Sequence, residues 1–282
     1  LKNDSKVFFT DRWFFDVYNY SFVNKDLYEK LNLDISECVL LKNSLSEEST
    51  HLRSSLIPNL MRWLEDNIRD RKYIKLFEIE KAFKVKNNEI FEDYYLSWVI
   101  TSQKEVAYYE IQTILSDFLK TIFVDNFFFE VIKNPPKYAH AGRVASIVVR
   151  GKEVWVIWEV HPSVSKRFDV NDRVWFFEIE VSKLLPNIYN KVKAQDLSNF
   201  QENNFDLSFV VDKDIKWREI MQTISATDKK LIKKVELFDI FESEEKLPWK
   251  RSLSFKIFIQ SMDWTISDEV KTNLIKDIIS KV

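Results

Sequence analysis

Two glycines, Gly142 and Gly151, serve a chain of 282 residues that carries nine tryptophans. At the usual frequency of about 7%, a chain of this length holds roughly 20. Glycine enters positive φ without steric cost, so tight turns and helix ends here must be closed by other residues. The remaining composition, 45% hydrophobic, 30% charged and 15% aromatic, is that of a soluble globular protein rather than a disordered or disulfide-stapled one. The length suits one long domain or two shorter ones. No run reaches the roughly 18 to 20 apolar residues of a membrane span, and the opening LKNDSKVFFTDRW has no signal-peptide pattern. The expectation is a cytoplasmic chain without a membrane partner. Cys38 is the single cysteine, which excludes an internal disulfide and Cys-x-x-Cys metal sites, and His51, His140 and His161 form no local metal motif.

Up to about residue 190 strand-like and helix-like patterns alternate. Leu52, Leu56, Leu60, Met61, Leu64 and Ile68 recur at helical spacing and predict a helix over 51–70. A second helix is predicted over 106–123. Runs rich in aromatic and β-branched residues predict strands at 73–85, 93–102, 126–133, 143–150, 153–160 and 172–181. The polar stretch 190–204 reads as a linker. Beyond it a β-α-β-β-α order follows: strands at 205–212, 233–242 and 251–260, with helices at 217–226 and 267–282. That order suits a ferredoxin-like split sheet. The fold class is therefore α+β, with Ser267 as N-cap and Asp268 and Glu269 favouring the dipole of the last helix.

Seven segments in register, FFDVYNYSFV (14–23), LKNSLSEESTHLRSSLIPNL (41–60), KLFEIEKAF (75–83), YAHAGRVASI (138–147), VWVIWEVHP (154–162), VWFFEIEVSKLL (174–185) and KRSLSFKIF with TISDEV (250–258, 265–270), resemble the C-terminal region of the bacterial phenylalanyl-tRNA synthetase β subunit family. The resemblance implies an inactive, class II synthetase-like antiparallel sheet module at 1–195 and a ferredoxin-fold anticodon-binding domain at 196–282. It further implies partnership with the α subunit in an α2β2 assembly, binding of tRNA(Phe), and ATP and magnesium held by the α subunit rather than by this chain. The opening Leu1 suggests a fragment without the family's N-terminal tRNA-binding and editing domains. The chain departs from the family pattern at Asn43-Ser44-Leu45-Ser46, at His140-Ala141-Gly142-Arg143, and around Phe200 to Leu207, where an arginine is missing.

Class II adenylation requires arginines on the ATP phosphates and acidic residues on magnesium. The strand expected to carry the first arginine offers Phe77 and Glu78 instead, and no GxGxxR occurs, so no catalytic residue is assigned. Glu78 and Glu80 share a strand face and suit either paired acid-base carboxylates or, preferably, a solvated face or salt bridges to the α subunit. Glu159 and His161 are read as a turn rather than a catalytic pair, His140 and Arg143 as turn-organising, and Cys38 as core. The net charge of −2 provides no global field for RNA, so contact must come from a local patch. Lys229, Lys230, Lys233, Lys234, Lys250 and Arg251 are the candidate phosphate contacts. Phe209 and Phe255, with Phe205, are candidates to stack on an unpaired base if they face outward. Arg53, Leu56, Leu60, Met61 and Leu64 are the expected subunit interface. The alternative is a structural, protein-interaction module that has lost tRNA binding.

Trp13, Trp98, Trp155, Trp158 and Trp249 stand where the family pattern has glycine; Trp63, Trp175 and Trp264 are further candidates, and Trp217 is undecided. Two explanations are open. Either the source reads UGA as glycine, or the protein is rich in tryptophan and comes from an AT-rich genome.

Overall fold

Aromatic and β-branched residues alternate through the middle of the chain, and in the computed structural model they build a seven-stranded sheet. The structure describes all residues except 45, 70, 72, 104–107, 125–126, 133 and 189–196. It divides into two units, Leu1–Val192 and Lys193–Val282. In chain order the first contains α1 (Lys2–Thr10), β1 (Phe15–Asp16), β2 (Phe22–Val23), α2 (Lys25–Lys30), β3 (Val39–Leu40), β4 (His51–Leu52), α3 (Ile57–Asn67), β5 (Lys75–Lys86), β6 (Glu89–Ser102), α4 (Tyr108–Thr121), β7 (Phe127–Val131), β8 (Ala139–Val149), β9 (Lys152–Val160), α5 (Pro162–Ser165), β10 (Arg173–Glu180) and α6 (Val181–Leu184).

The large sheet runs β1-β5-β6-β10-β9-β8-β7, antiparallel except for the parallel pair β1 and β5. Both faces are covered. Phe77, Ile79, Trp98, Phe177 and Ile157 meet Phe8 and Phe9 of α1 and Leu115 and Phe118 of α4. Leu76, Val99, Phe176 and Trp158 meet Leu27 and Tyr28 of α2, Leu60, Met61 and Leu64 of α3, and Val164 of α5. Burying each such side chain contributes about 1.5–3 kcal/mol, which explains why successive strand residues are apolar on both parities. The β5–β6 hairpin closes on Asn87 and Asn88, and the β8–β9 hairpin on Arg150 and Gly151, with positive φ at all four positions. This is the two-residue turn that matches strand twist, made in one case without glycine.

The helix expected over 51–70 is shorter. His51 and Leu52 instead pair as β4 with β2 and β3, and the helix begins at Ile57, with Pro58 in its first turn, where the N–H that proline lacks has no intrahelical partner. Of the strand predicted over 126–133, Phe127–Val131 forms, and residues 126 and 133 lie outside the described residues, as do 106 and 107 of the second predicted helix. The helix Lys2–Thr10 has no counterpart among the expected elements, because the adjacent Phe8 and Phe9 obscure its helical period.

The second unit is β11 (Asn203–Asp212), α7 (Trp217–Thr227), β12 (Ile232–Glu242), β13 (Lys250–Ile259) and α8 (Asp268–Lys281), with sheet order β11-β13-β12. This is the expected βαββα order. Ser267 caps α8, its Oγ accepting the Val270 N–H at 3.4 Å. Residues 190–196 of the expected linker lie outside the described residues. Its later part is not linker: Ser198 Oγ donates to the Ser261 carbonyl (2.7 Å), Gln260 Nε2 donates to the Phe200 carbonyl (2.8 Å), and Asn203 and Asn204 already belong to β11.

Candidate functional site

The small sheet has one covered and one open face. On β11 Phe205, Leu207, Phe209 and Val211, and on β13 Leu253, Phe255, Ile257 and Ile259, pack with Ile220 and Ile224 of α7 and Leu274 and Ile278 of α8. The intervening positions, Asp206, Ser208 and Val210 with Ser252, Ser254, Lys256 and Phe258, fall on the opposite face. There Ser208 and Ser254 bond through their hydroxyls at 2.8 Å, and Asp206 lies 3.9 Å from Lys256. Lys256 Nζ sits 5.8 Å from the Phe238 ring centroid, and Lys234 Nζ sits 5.5 Å from that of Phe258. A register shift between Leu237 and Asp239 displaces β12 and leaves Phe238 and Phe241 exposed. Aromatic faces beside ammonium groups suit a single-stranded nucleic acid, whose bases stack and whose phosphates are anionic.

Phe255 is fully buried and Phe205 nearly so, while the Phe209 ring packs 6.2 Å from that of Phe255. The expectation that these three stack on a base is corrected: they form the core, and Phe238, Phe241 and Phe258 occupy the open side. The polar alternation Ser252, Ser254, Lys256 was the signal in the sequence that would have assigned the parity. Lys229 and Lys230 are exposed in the turn between α7 and β12; Lys233, Lys234 and Lys250 are exposed on strands, and Lys234 pairs with Glu236. Arg251 is engaged within the unit. Its Nη2 donates to the Ile215 carbonyl at 2.8 Å and its Nη1 lies 3.6 Å from Glu242, so the guanidinium anchors the segment entering α7.

In the large unit Arg53 and Glu78, both 0% exposed, form an ion pair of 2.9 Å. Arg53 Nε also donates to the Lys81 carbonyl (3.2 Å), and Asn19 donates to Glu78 from its backbone N–H (3.2 Å) and its Nδ2 (2.8 Å). Burial pushes the Glu78 carboxyl upward, and Arg53 and Asn19 pull it part of the way back. Glu78 is thus neither solvated nor paired with Glu80, which lies 4.0 Å from Lys2. Leu56, Leu60, Met61 and Leu64 are likewise fully buried within the unit. The expected subunit interface at these residues and Arg53 is corrected: the apolar face of α3 is covered by this chain's own sheet.

Beside this pair a cleft of about 440 Å³ is lined by Tyr95, Tyr138, Lys84, Trp158 and Glu178, among others. Glu178 accepts from the Leu56 N–H (2.8 Å) and from Ser55 Oγ (3.0 Å). Glu159 is held at 2.8 Å by Arg143 and at 3.8 Å by Arg173, whereas exposed His161 starts α5 by accepting the Ser163 N–H at 3.2 Å, so the two make no acid-base pair. His140 Nδ1 accepts the Gly142 N–H at 3.2 Å beside a register shift in β8. Cys38 is buried, its Sγ 3.5 Å from Ser54 Oγ. No group of three metal-capable side chains occurs among the described residues.

Residues 1–181 match the family described as the phenylalanyl tRNA synthetase beta chain CLM domain, and residues 198–282 match the ferredoxin-fold anticodon binding domain. The chain belongs to the phenylalanyl-tRNA synthetase beta chain family. It is 26% identical over 280 residues to the phenylalanine–tRNA ligase beta subunit of Carboxydothermus hydrogenoformans, covering 94% of this chain and 35% of that one. It is 29% identical over 269 residues to that of Rickettsia prowazekii, covering 90% and 32%. The chain therefore spans about a third of the length of these relatives. A pyrrolysyl tRNA synthetase of Desulfitobacterium hafniense shares the fold, with TM-score 0.56 at 14% identity over 65% of this chain and 66% of that one.

Membership of the synthetase beta chain family gives the cleft its setting: Glu178, which lines it, lies on the central strand β10 of a synthetase-type sheet, and Glu78 lies on β5 of the same sheet, each engaged by the chain itself. Burial raises the Glu178 carboxyl above its ordinary value of 4.5, against the hydrogen bonds from Leu56 and Ser55. The folded state therefore binds this proton more tightly than the unfolded chain. The group's contribution is complete below pH 4.5 and is lost as pH rises through the raised folded value. Relative to Glu178→Gln, the native chain should lose stability with rising pH, by at most about 1.4 kcal/mol per pH unit between the two values. Denaturation midpoints of both proteins from pH 4.5 to neutrality check this, and a constant difference between them would refute it.

Proposed function

We propose that this chain is the non-catalytic part of a phenylalanine–tRNA ligase beta subunit. The small unit docks the anticodon region of tRNA(Phe), and the large unit packs against a catalytic alpha subunit that holds ATP and magnesium. The observation that carries the tRNA role is the open sheet face, where Phe238, Phe241 and Phe258 stand beside Lys234 and Lys256. Lys229, Lys230 and Lys233 adjoin it and supply further positive charge. For alpha-subunit contact the exposed Tyr18, Tyr20 and Leu40, on and beside the small sheet β2-β4-β3, replace the buried residues of α3. An α2β2 assembly in the cytoplasm belongs to the same proposal.

Reversing Lys229, Lys230 and Lys233 to Glu should weaken tRNA(Phe) binding and reduce the slope of log affinity against log salt by about 1 for each phosphate no longer neutralised. Filter binding or anisotropy across a salt series measures both. A protein-interaction role without tRNA is favoured by a different observation: Asp206 and Glu236 pair with Lys256 and Lys234 and offset charge on the open face. Salt-insensitive or absent tRNA binding by the unaltered chain would select that reading.

A further inference from the structure

Among the described residues other than glycine, Asn32, Asn87, Asn88 and Asp169 occupy the left-handed region, as their short polar side chains allow, and so do Arg150 (φ 51°) and Phe123 (φ 59°). Trp13 (φ 63°) and Trp249 (φ 64°) occupy it as well, and for bulky residues this is an outlier.

Each of these tryptophans sits at the glycine position of a recognised motif. At the end of α1 the Phe14 N–H bonds to the Phe9 carbonyl (3.1 Å) and the Trp13 N–H to the Thr10 carbonyl (3.0 Å). Those two bonds define a Schellman cap in which Trp13 is the C′ residue, the place glycine usually takes. In the other motif the Lys250 N–H bonds to the Leu247 carbonyl (3.1 Å) across Pro248 and Trp249. Proline second and a positive-φ residue third is the pattern of a type II turn, whose third position calls for glycine. Neither indole gains from being there: Trp13 is 86% exposed and Trp249 81%.

Three buried tryptophans show a different misfit. Trp98, Trp155 and Trp175 lie on the inner strands β6, β9 and β10, and the indole N–H of each is buried without a hydrogen-bond partner among the described residues. Buried indole N–H groups ordinarily find an acceptor. Trp13, Trp98, Trp155 and Trp249 are also among the positions at which the resemblance described above implies glycine.

We propose that Trp13, Trp98, Trp155 and Trp249 stand at UGA codons that the source cell reads as glycine. The scarcity of glycine and the abundance of tryptophan are then one fact, and both strained turns become ordinary. Glycine at Trp155 would also open the cleft beside Glu178, which that indole helps to line.

The deciding experiment is peptide sequencing by mass spectrometry of the protein isolated from its source cells. Glycine at the four positions is the expected result, and tryptophan there overturns the proposal. An independent readout uses the chain with tryptophan at all four. Trp13→Gly and Trp249→Gly should each raise Tm by about 2–4 °C, because they relieve the left-handed backbone. A fall or no change in Tm for these two variants counts against the proposal.

Discussion

Arg53→Ala should lower the unfolding free energy of the large unit by about 3–5 kcal/mol, among the largest losses available to one substitution in this chain. The reason is the partner left behind. Glu78 is wholly buried and keeps only the two Asn19 hydrogen bonds once the guanidinium 2.9 Å away is gone. An uncompensated carboxylate in that position must be protonated or the unit must open. The loss should therefore shrink as pH falls, since protonation removes the charge. Replacing both partners, as Arg53→Met with Glu78→Leu, should recover most of the stability, because the desolvation cost of both charges disappears together. Urea denaturation of the single and double variants at two pH values measures these effects. A loss below about 1 kcal/mol for Arg53→Ala, typical of an exposed pair, would contradict the arrangement.

Phe255→Ala should destabilise the small unit by about 3–5 kcal/mol, the usual cost of emptying an aromatic site in a core. Phe255 is 0% exposed at the middle of the central strand β13, with Phe209 beside it, so the cavity is walled by residues of the sheet and of the helices that cover it. Phe238→Ala should behave in the opposite way. That ring is 55% exposed on the open face, and its loss should change stability little while weakening tRNA(Phe) binding by about 1–3 kcal/mol if a base stacks on it. Denaturation and tRNA titration of the two variants distinguish core from platform. If Phe255→Ala left the unfolding transition in place and abolished binding, the assignment of faces would be reversed.

Much of this division was legible in the sequence. In β13 the alternation Ser252, Leu253, Ser254, Phe255, Lys256, Ile257 already separates a polar parity from an apolar one, and Phe255 falls on the apolar side. The exposed positions of Phe238 and Phe241 were less accessible, because they depend on the register shift in β12, which arises from pairing with a strand further along the chain. The helix α3 is amphipathic as its spacing predicts, but its apolar face has a different cover from the one expected. A helical period reports that a face is apolar, and the same face suits another subunit or the chain's own sheet.

The order of the predicted strands and helices and the family were legible in the sequence itself, because each rests on neighbours close in the chain, as in the alternation over a few residues; α1, α2 and the small sheet β2-β4-β3 were not among the predicted elements. The fate of the charges was decided only by the tertiary structure. In the sequence Arg53 reads as part of a subunit interface and Glu78 as a solvated or salt-bridging neighbour of Glu80, not as each other's partner, and Glu178 gives no local sign of its raised proton affinity. Their burial follows from the stacking of α3 on a sheet assembled from distant segments. Desolvation is a property of that assembled surface, and no window of sequence contains it.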